Sequence, residues 1–179
     1  MLTVAIADDD SLVGRLDVDE IDLLFCLGDL WDATIEKSCE RYHPKKVFAV
    51  RGNHDGIGPF ASHVTPLHLT IVEYGGMTFA GFEGSWRYKP RGHHLFDQEE
   101  VSRMLRGFPL VDVFVAHNSP RGCQERDEDV HQGFDAFLEY IKTEQPRYFI
   151  HGHQHLDAIT RIGATTVISV FGEKLIEIE

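Results

Sequence analysis

Short apolar runs punctuated by Gly, Asp or His recur along the chain. Leu2–Ala7, Leu23–Leu27, Lys46–Val50, Val111–Ala116 and Arg147–Ile150 are rich in Val, Ile and Phe, the pattern of strands buried on both faces. A second set alternates apolar and polar positions: Leu67–Glu73, Met77–Phe82, Asp157–Ile162, Thr165–Val170 and Lys174–Ile178. These predict antiparallel strands, with Tyr74-Gly75-Gly76 and Gly163-Ala164 as hairpin turns. Helical periodicity marks Asp32–Tyr42, Asp97–Arg106 and Gly133–Glu144; in the last, Phe134, Phe137, Leu138 and Ile141 fall on one side. The mixed order, with hairpins in the middle and at the C-terminal end, predicts an α/β fold of two packed sheets with helices outside.

Composition narrows the class without changing that picture. A length of 179 residues suits one domain over 1–179, with no internal repeat and no linker, and the globular balance excludes disordered and low-complexity classes. Seventeen basic against 29 acidic residues give a net charge of −12, so there is no basic footprint, and extended nucleic-acid binding is not expected. Cys26, Cys39 and Cys123 form no CxxC pair and leave one thiol over in any disulfide scheme, which fits a reducing compartment. No apolar run approaches the ~18 residues of a membrane span, and Leu2–Ala7 lacks the flank of a signal peptide, so a cytoplasmic protein with no membrane contact is expected. The charged stretch Gln124–His131 reads as a solvated loop that could gate a site.

Metal-capable groups recur just after the predicted strands. They are Asp8-Asp9-Asp10, Gly28-Asp29, Gly52-Asn53-His54-Asp55, His117 and Gly152-His153-Gln154-His155. Each pattern alone is commonplace, since Asp and Gly also cap helices and form turns. Ligands of α/β sheets bind beyond the carboxyl ends of strands, so the five clusters can converge although they span most of the chain. Two divalent cations about 3.5–4 Å apart need a shared anion, and Asp29 is the natural bridge. Extended residues two apart face the same way, which pairs Asp8 with Asp10 and His153 with His155. Water held between such ions becomes an in-line nucleophile near neutral pH, and phosphoester hydrolysis is the expected reaction.

This set resembles the calcineurin-like metallophosphoesterases, whose pattern is DxH, GDxx, GNH[DE], a lone H and GHxH. The match covers residues 8 to 155 and looks most like small single-domain members. Gly84-Ser85-Trp86, His117-Asn118-Ser119-Pro120-Arg121-Gly122 and His131-Gln132-Gly133-Phe134 are similar to segments of the metallophosphoesterase-domain-containing branch. The resemblance implies a four-layer αββα sandwich with one ion on Asp8, Asp10, Asp29 and His155 and a second on Asp29, Asn53, His117 and His153. It also implies that His54 steadies the phosphate or protonates the leaving oxygen, with Asp55 orienting it. One departure is that Asp10 stands where the family has His, which lowers the formal charge of the site by one. The harder ligand favours manganese or magnesium over iron, nickel or zinc.

The expected protein is therefore a binuclear phosphoesterase, favouring a phosphodiester such as a cyclic nucleotide, attacked by hydroxide between the ions. A phosphomonoesterase or nuclease on the same site is the alternative, and a non-catalytic interaction module, with Asp10 marking a retired site, is the alternative of another class. Asn118 and Arg121, close behind His117, are candidate phosphate contacts. Trp31 and Trp86 could stack on a base or phenyl group, although packing is their commoner use. His151 is read as packed, and a homo-oligomer remains open.

Overall fold

A computed structural model describes residues 1–179. Two sheets stack face to face. The first runs in the order β13 (Gly172–Glu177), β1 (Leu2–Ala7), β2 (Leu23–Cys26), β3 (Lys46–Ala49), β4 (Val64–Pro66). The second runs β11 (Ala158–Ile162), β12 (Thr165–Ser169), β10 (Tyr148–His151), β9 (Val113–Ala116), β6 (Met77–Phe82), β5 (Val72–Tyr74). A separate pair, β7 (Ser85–Trp86) and β8 (Leu95–Phe96), lies beyond β6. The helices are α1 (Asp32–Tyr42), α2 (Gln98–Leu105) and α3 (Asp135–Glu144).

The layers follow from which faces are apolar. Between the sheets lies a core of 17 buried residues, with Phe25, Phe48 and Phe79 stacked through its centre. Outside the second sheet, α2 and α3 pack onto Phe82, Phe114 and Phe149. Outside the first sheet, α1 buries Ile35 and Tyr42 against Val4, Ile6 and Val47, and the segment carrying Val13, Leu16 and Val18 completes that layer. The result is the expected αββα sandwich.

The strands that carry the motifs pair in parallel: β1 with β2, β2 with β3, and β9 with β10. Crossovers through α1 and α3 therefore bring their carboxyl ends to one side. The alternating set is antiparallel only within its hairpins, β5 with β6 and β11 with β12, and where β13 meets β1. The inner hairpin strands β6 and β12 pair in parallel with β9 and β10, because each must also extend the central sheet. The run expected as one strand over 67–73 is broken, since Leu69 takes a left-handed conformation (φ 51°) and only Val72–Tyr74 remains strand. The unanticipated β4 instead pairs with β3.

Candidate metal centre

Asp8 follows β1 directly, Asp29 lies three residues past β2, and Asn53 four past β3; His117 follows β9 and His153 lies two past β10. The first three come from one sheet and the last two from the other, so the cluster straddles both. Their backbones are bent to reach it: Asp8, Asp29 and His153 have φ of 66°, 55° and 64°. Such conformations cost about 1–3 kcal/mol each for side chains other than glycine and concentrate at functional sites. The glycines of two motifs make the approach possible. A Cβ on Gly28 would stand 2.4 Å from the Gly52 nitrogen, and one on Gly52 would stand 2.1 Å from Asp29 Oδ1.

Ligand atoms of Asp29, His117 and His153 all lie within 4.8 Å of one another. His117 is wholly buried; its Nδ1 donates to the Leu27 carbonyl at 2.8 Å, which points Nε2 at Asn53 Oδ1 (3.0 Å) and Asp29 Oδ2 (3.4 Å). His153 donates from Nε2 to the Val130 carbonyl at 2.9 Å, leaving Nδ1 as its lone-pair nitrogen. Asp8 accepts the His153 N–H on Oδ2 at 2.8 Å, whereas its buried Oδ1 has no hydrogen-bond partner and lies 4.0 Å from His117 Nδ1.

The electrostatics describe a site short of positive charge. Burial pushes the Asp8 carboxyl up to about 7 against the opposing pull of His117. Burial works against a charged His117, yet the Asp29 and Asp8 carboxylates raise it to about 9. Burial would also raise Asp29, but His117 outweighs it and holds that carboxyl below the usual range. His153 is driven down by burial, which keeps its imidazole neutral. One carboxylate and two imidazoles converging within 4.8 Å, with an orphaned buried carboxylate oxygen behind His117, are groups that a divalent cation satisfies. These residues fit a metal ion.

Asp10 and His155 stand outside that cluster. The extended backbone that would align Asp8 with Asp10 is absent, because Asp8 is left-handed and Asp10 opens a 3-10 turn, Asp10–Leu12. The same holds for His153 and His155, both left-handed; His155 is exposed, with its ring 5.4 Å from that of His131. Asp10 does line a cavity of about 360 Å³ together with Asp29, Trp31, Arg51, His54 and Asp55. His54 is exposed there, and its backbone N–H donates to Asp29 Oδ1 at 2.7 Å.

Asp55 is occupied with backbone rather than with the His54 ring. Its carboxylate accepts N–H groups of Gly52 (2.7 Å), Asp29 (3.1 Å) and Leu30 (3.1 Å), tying the second and third motifs together. Asn118 and Arg121, expected at the phosphate, do not line the cavity. Asn118 is buried, donating to the Gln132 carbonyl, and Arg121 pairs with Glu125 and Asp135. The 124–131 segment is hydrogen-bonded to its surroundings: Gln124 meets His151, Arg126 donates its N–H to Gln154, and the Gln154 amide donates to the His131 carbonyl. His151 is packed as expected, fully buried, and burial lowers it to about 4.

Sequence reasoning passed over Arg51. It is 6% exposed, bonded to Asp32 at 2.8 Å and to the Gly58 carbonyl at 3.1 Å, with its guanidinium over the Phe60 ring. Its position immediately before Gly52-Asn53-His54-Asp55, at the end of a buried strand, was the available signal. The carbonyls of Leu27 and Val130, which orient the two histidines, leave no mark in the sequence.

The calcineurin-like phosphoesterase superfamily domain matches residues 5–170. A search of curated protein sequences found no match. Among solved structures, the fold is similar to TT1561 of Thermus thermophilus, with a TM-score of 0.65 and 16% identity over 96% of this chain and 89% of that one. It is also similar to a phosphopantetheinyl hydrolase from Mycobacterium tuberculosis, with a TM-score of 0.66 and 14% identity over 95% of this chain and 89% of that one. At such identities the structures speak for the fold alone. The family match, spanning all five motifs, carries more: the chain belongs to the calcineurin-like phosphoesterase superfamily.

Proposed function

We propose that the chain is a binuclear, divalent-metal-dependent phosphoesterase that favours a small phosphodiester such as a cyclic nucleotide. The observation that carries this reading is the convergence of Asp29, His117 and His153 ligand atoms within 4.8 Å of one another, with the unpartnered, buried Asp8 Oδ1 on the other side of the His117 ring. In this reading Asp29 serves two ions, one completed by Asp8, Asp10 and His155 and the other by Asn53, His117 and His153. The oxygen-rich set, with Asp10 in place of an imidazole, favours manganese, then magnesium. Bound ions would supply activated water and hold the phosphate oxygens.

The chain's own residues do the rest. Asp55 holds the two glycine turns in register, and Leu27 and Val130 fix which nitrogen each histidine presents. His54 lines the cavity from a backbone anchored on Asp29, and in this reading its ring would protonate the leaving oxygen. A cavity of about 360 Å³ suits a small substrate rather than a polymer. The net charge of −12 agrees with that.

The test is hydrolysis of bis-p-nitrophenyl phosphate and p-nitrophenyl phosphate by metal-stripped protein refilled with manganese, magnesium, nickel, zinc or iron. The expected result is metal-dependent turnover of the diester in preference to the monoester, with two ions bound per chain and activity abolished by Asp29→Ala. No turnover with any metal, together with failure to bind two ions, would overturn the reading.

A further inference from the structure

The two most exposed large apolar side chains of the protein, Trp31 and Ile57, both 75% exposed, sit at one cavity, the one lined by Asp29 and His54. Trp31 lines it directly, and Ile57 stands between Gly56 and Gly58, which also line it. Both are carried on fixed backbone. The Trp31 N–H donates to Asp10 Oδ1 at 3.1 Å, and its carbonyl accepts the first N–H groups of α1, from Thr34 at 2.8 Å and Ile35 at 3.3 Å. On the other side, His94 Nε2 bonds the Gly56 carbonyl at 3.1 Å, and Arg51 bonds the Gly58 carbonyl. An exposed indole on an anchored backbone offers an aromatic face to a flat partner.

We propose that Trp31 is the specificity site for a nucleobase carried by the phosphoester substrate. The inference rests on the phosphoesterase reading for where the phosphate lies and adds what is attached to it. A planar ring stacks on the indole while the phosphate reaches Asp29 and His54 in the same cavity. The remaining wall is rich in acceptors: Asp32 lines the cavity with only Oδ1 engaged, by Arg51. A base bearing an exocyclic amine has the N–H donors that such a wall satisfies, whereas a bare phenyl or alkyl group does not use it. Trp31 acts on binding, and no proton passes through it.

The test compares adenosine 5′-monophosphate with ribose 5-phosphate on manganese-loaded protein, by calorimetry and by tryptophan fluorescence. The nucleotide is expected to bind about 5- to 100-fold more tightly than the sugar phosphate and to quench the indole emission. Trp31→Ala should erase the preference while leaving ribose 5-phosphate affinity unchanged. Trp31→Phe should keep most of it but lose the quenching. Equal affinity for the two ligands in the wild-type protein, or an equal loss for both in Trp31→Ala, would overturn the proposal. Trp31 is on the surface, so neither variant threatens folding. Failure of the enzymatic reading is separable: a Trp31-dependent preference in a protein that turns over no phosphodiester upholds the subsite alone, and turnover without the preference removes the subsite alone.

Discussion

Asp8 shows what a single residue contributes to stability and what it gives up for function. Its Oδ2 is bonded, but Oδ1 is buried without a partner, an arrangement that costs about 1–3 kcal/mol when nothing compensates it. Asp8→Asn removes the buried charge and is therefore expected to raise the denaturation midpoint of metal-free protein. The same change should weaken manganese binding at least tenfold by calorimetry. A variant that is less stable without metal would show that the carboxylate belongs to the packing rather than to a ligand. The identity of Asp8 was legible in the sequence, but its bent backbone was not. Alternation along a strand pairs it with Asp10, and the left-handed turn at Asp8 breaks that alternation. His153 and His155 part company for the same reason.

At the scale of elements, the segment between β6 and β8 is closed on itself by an ion pair and tied to the site by a hydrogen bond. Glu83, just past β6, and His94, just before β8, approach to 3.2 Å, and His94 also bonds the Gly56 carbonyl. The hydrogen bond to Glu83 raises His94 above its ordinary 6.5 despite partial burial. Burial would raise Glu83, but His94 holds it below its ordinary 4.5. The histidine's contribution is complete below 6.5 and fades as pH rises through its raised value. That of Glu83 is complete above 4.5 and fades as pH falls through its lowered value. The pair therefore stabilises most between these limits. Thermal melts of wild type and His94→Gln should differ most near about pH 5.5 and draw together as pH rises through the raised value of His94. A gap constant with pH would assign the tie to packing instead. The helices and the motif-bearing strands could be read from periodicity, since each buries a continuous face. The break at Leu69 and the strand Val64–Pro66 could not, because Val64–Pro66 exists only as a partner for β3.

Across the whole molecule, the candidate centre joins both sheets, with Asp8, Asp29 and Asn53 from one and His117 and His153 from the other. A ligand that binds only the folded chain stabilises it by about 2.7 kcal/mol at a hundred times its dissociation constant. Manganese at that level is expected to raise the melting temperature by about 5–10 °C in the wild type and by nothing measurable in Asp29→Ala. A rise in both proteins would locate the bound metal elsewhere. The apolar patterning by itself determined the two-sheet sandwich, the three helices and the five places where polar chemistry interrupts the strands, because burial and helical period are properties of neighbouring residues. Only the tertiary structure decided which groups meet. It gathered Asp8, Asn53, His117 and His153 around Asp29, turned Asn118 and Arg121 to other partners, and set Arg51 and Trp31 into the cavity. Those outcomes depend on backbone turns and on contacts between residues up to 145 positions apart, which no local pattern encodes.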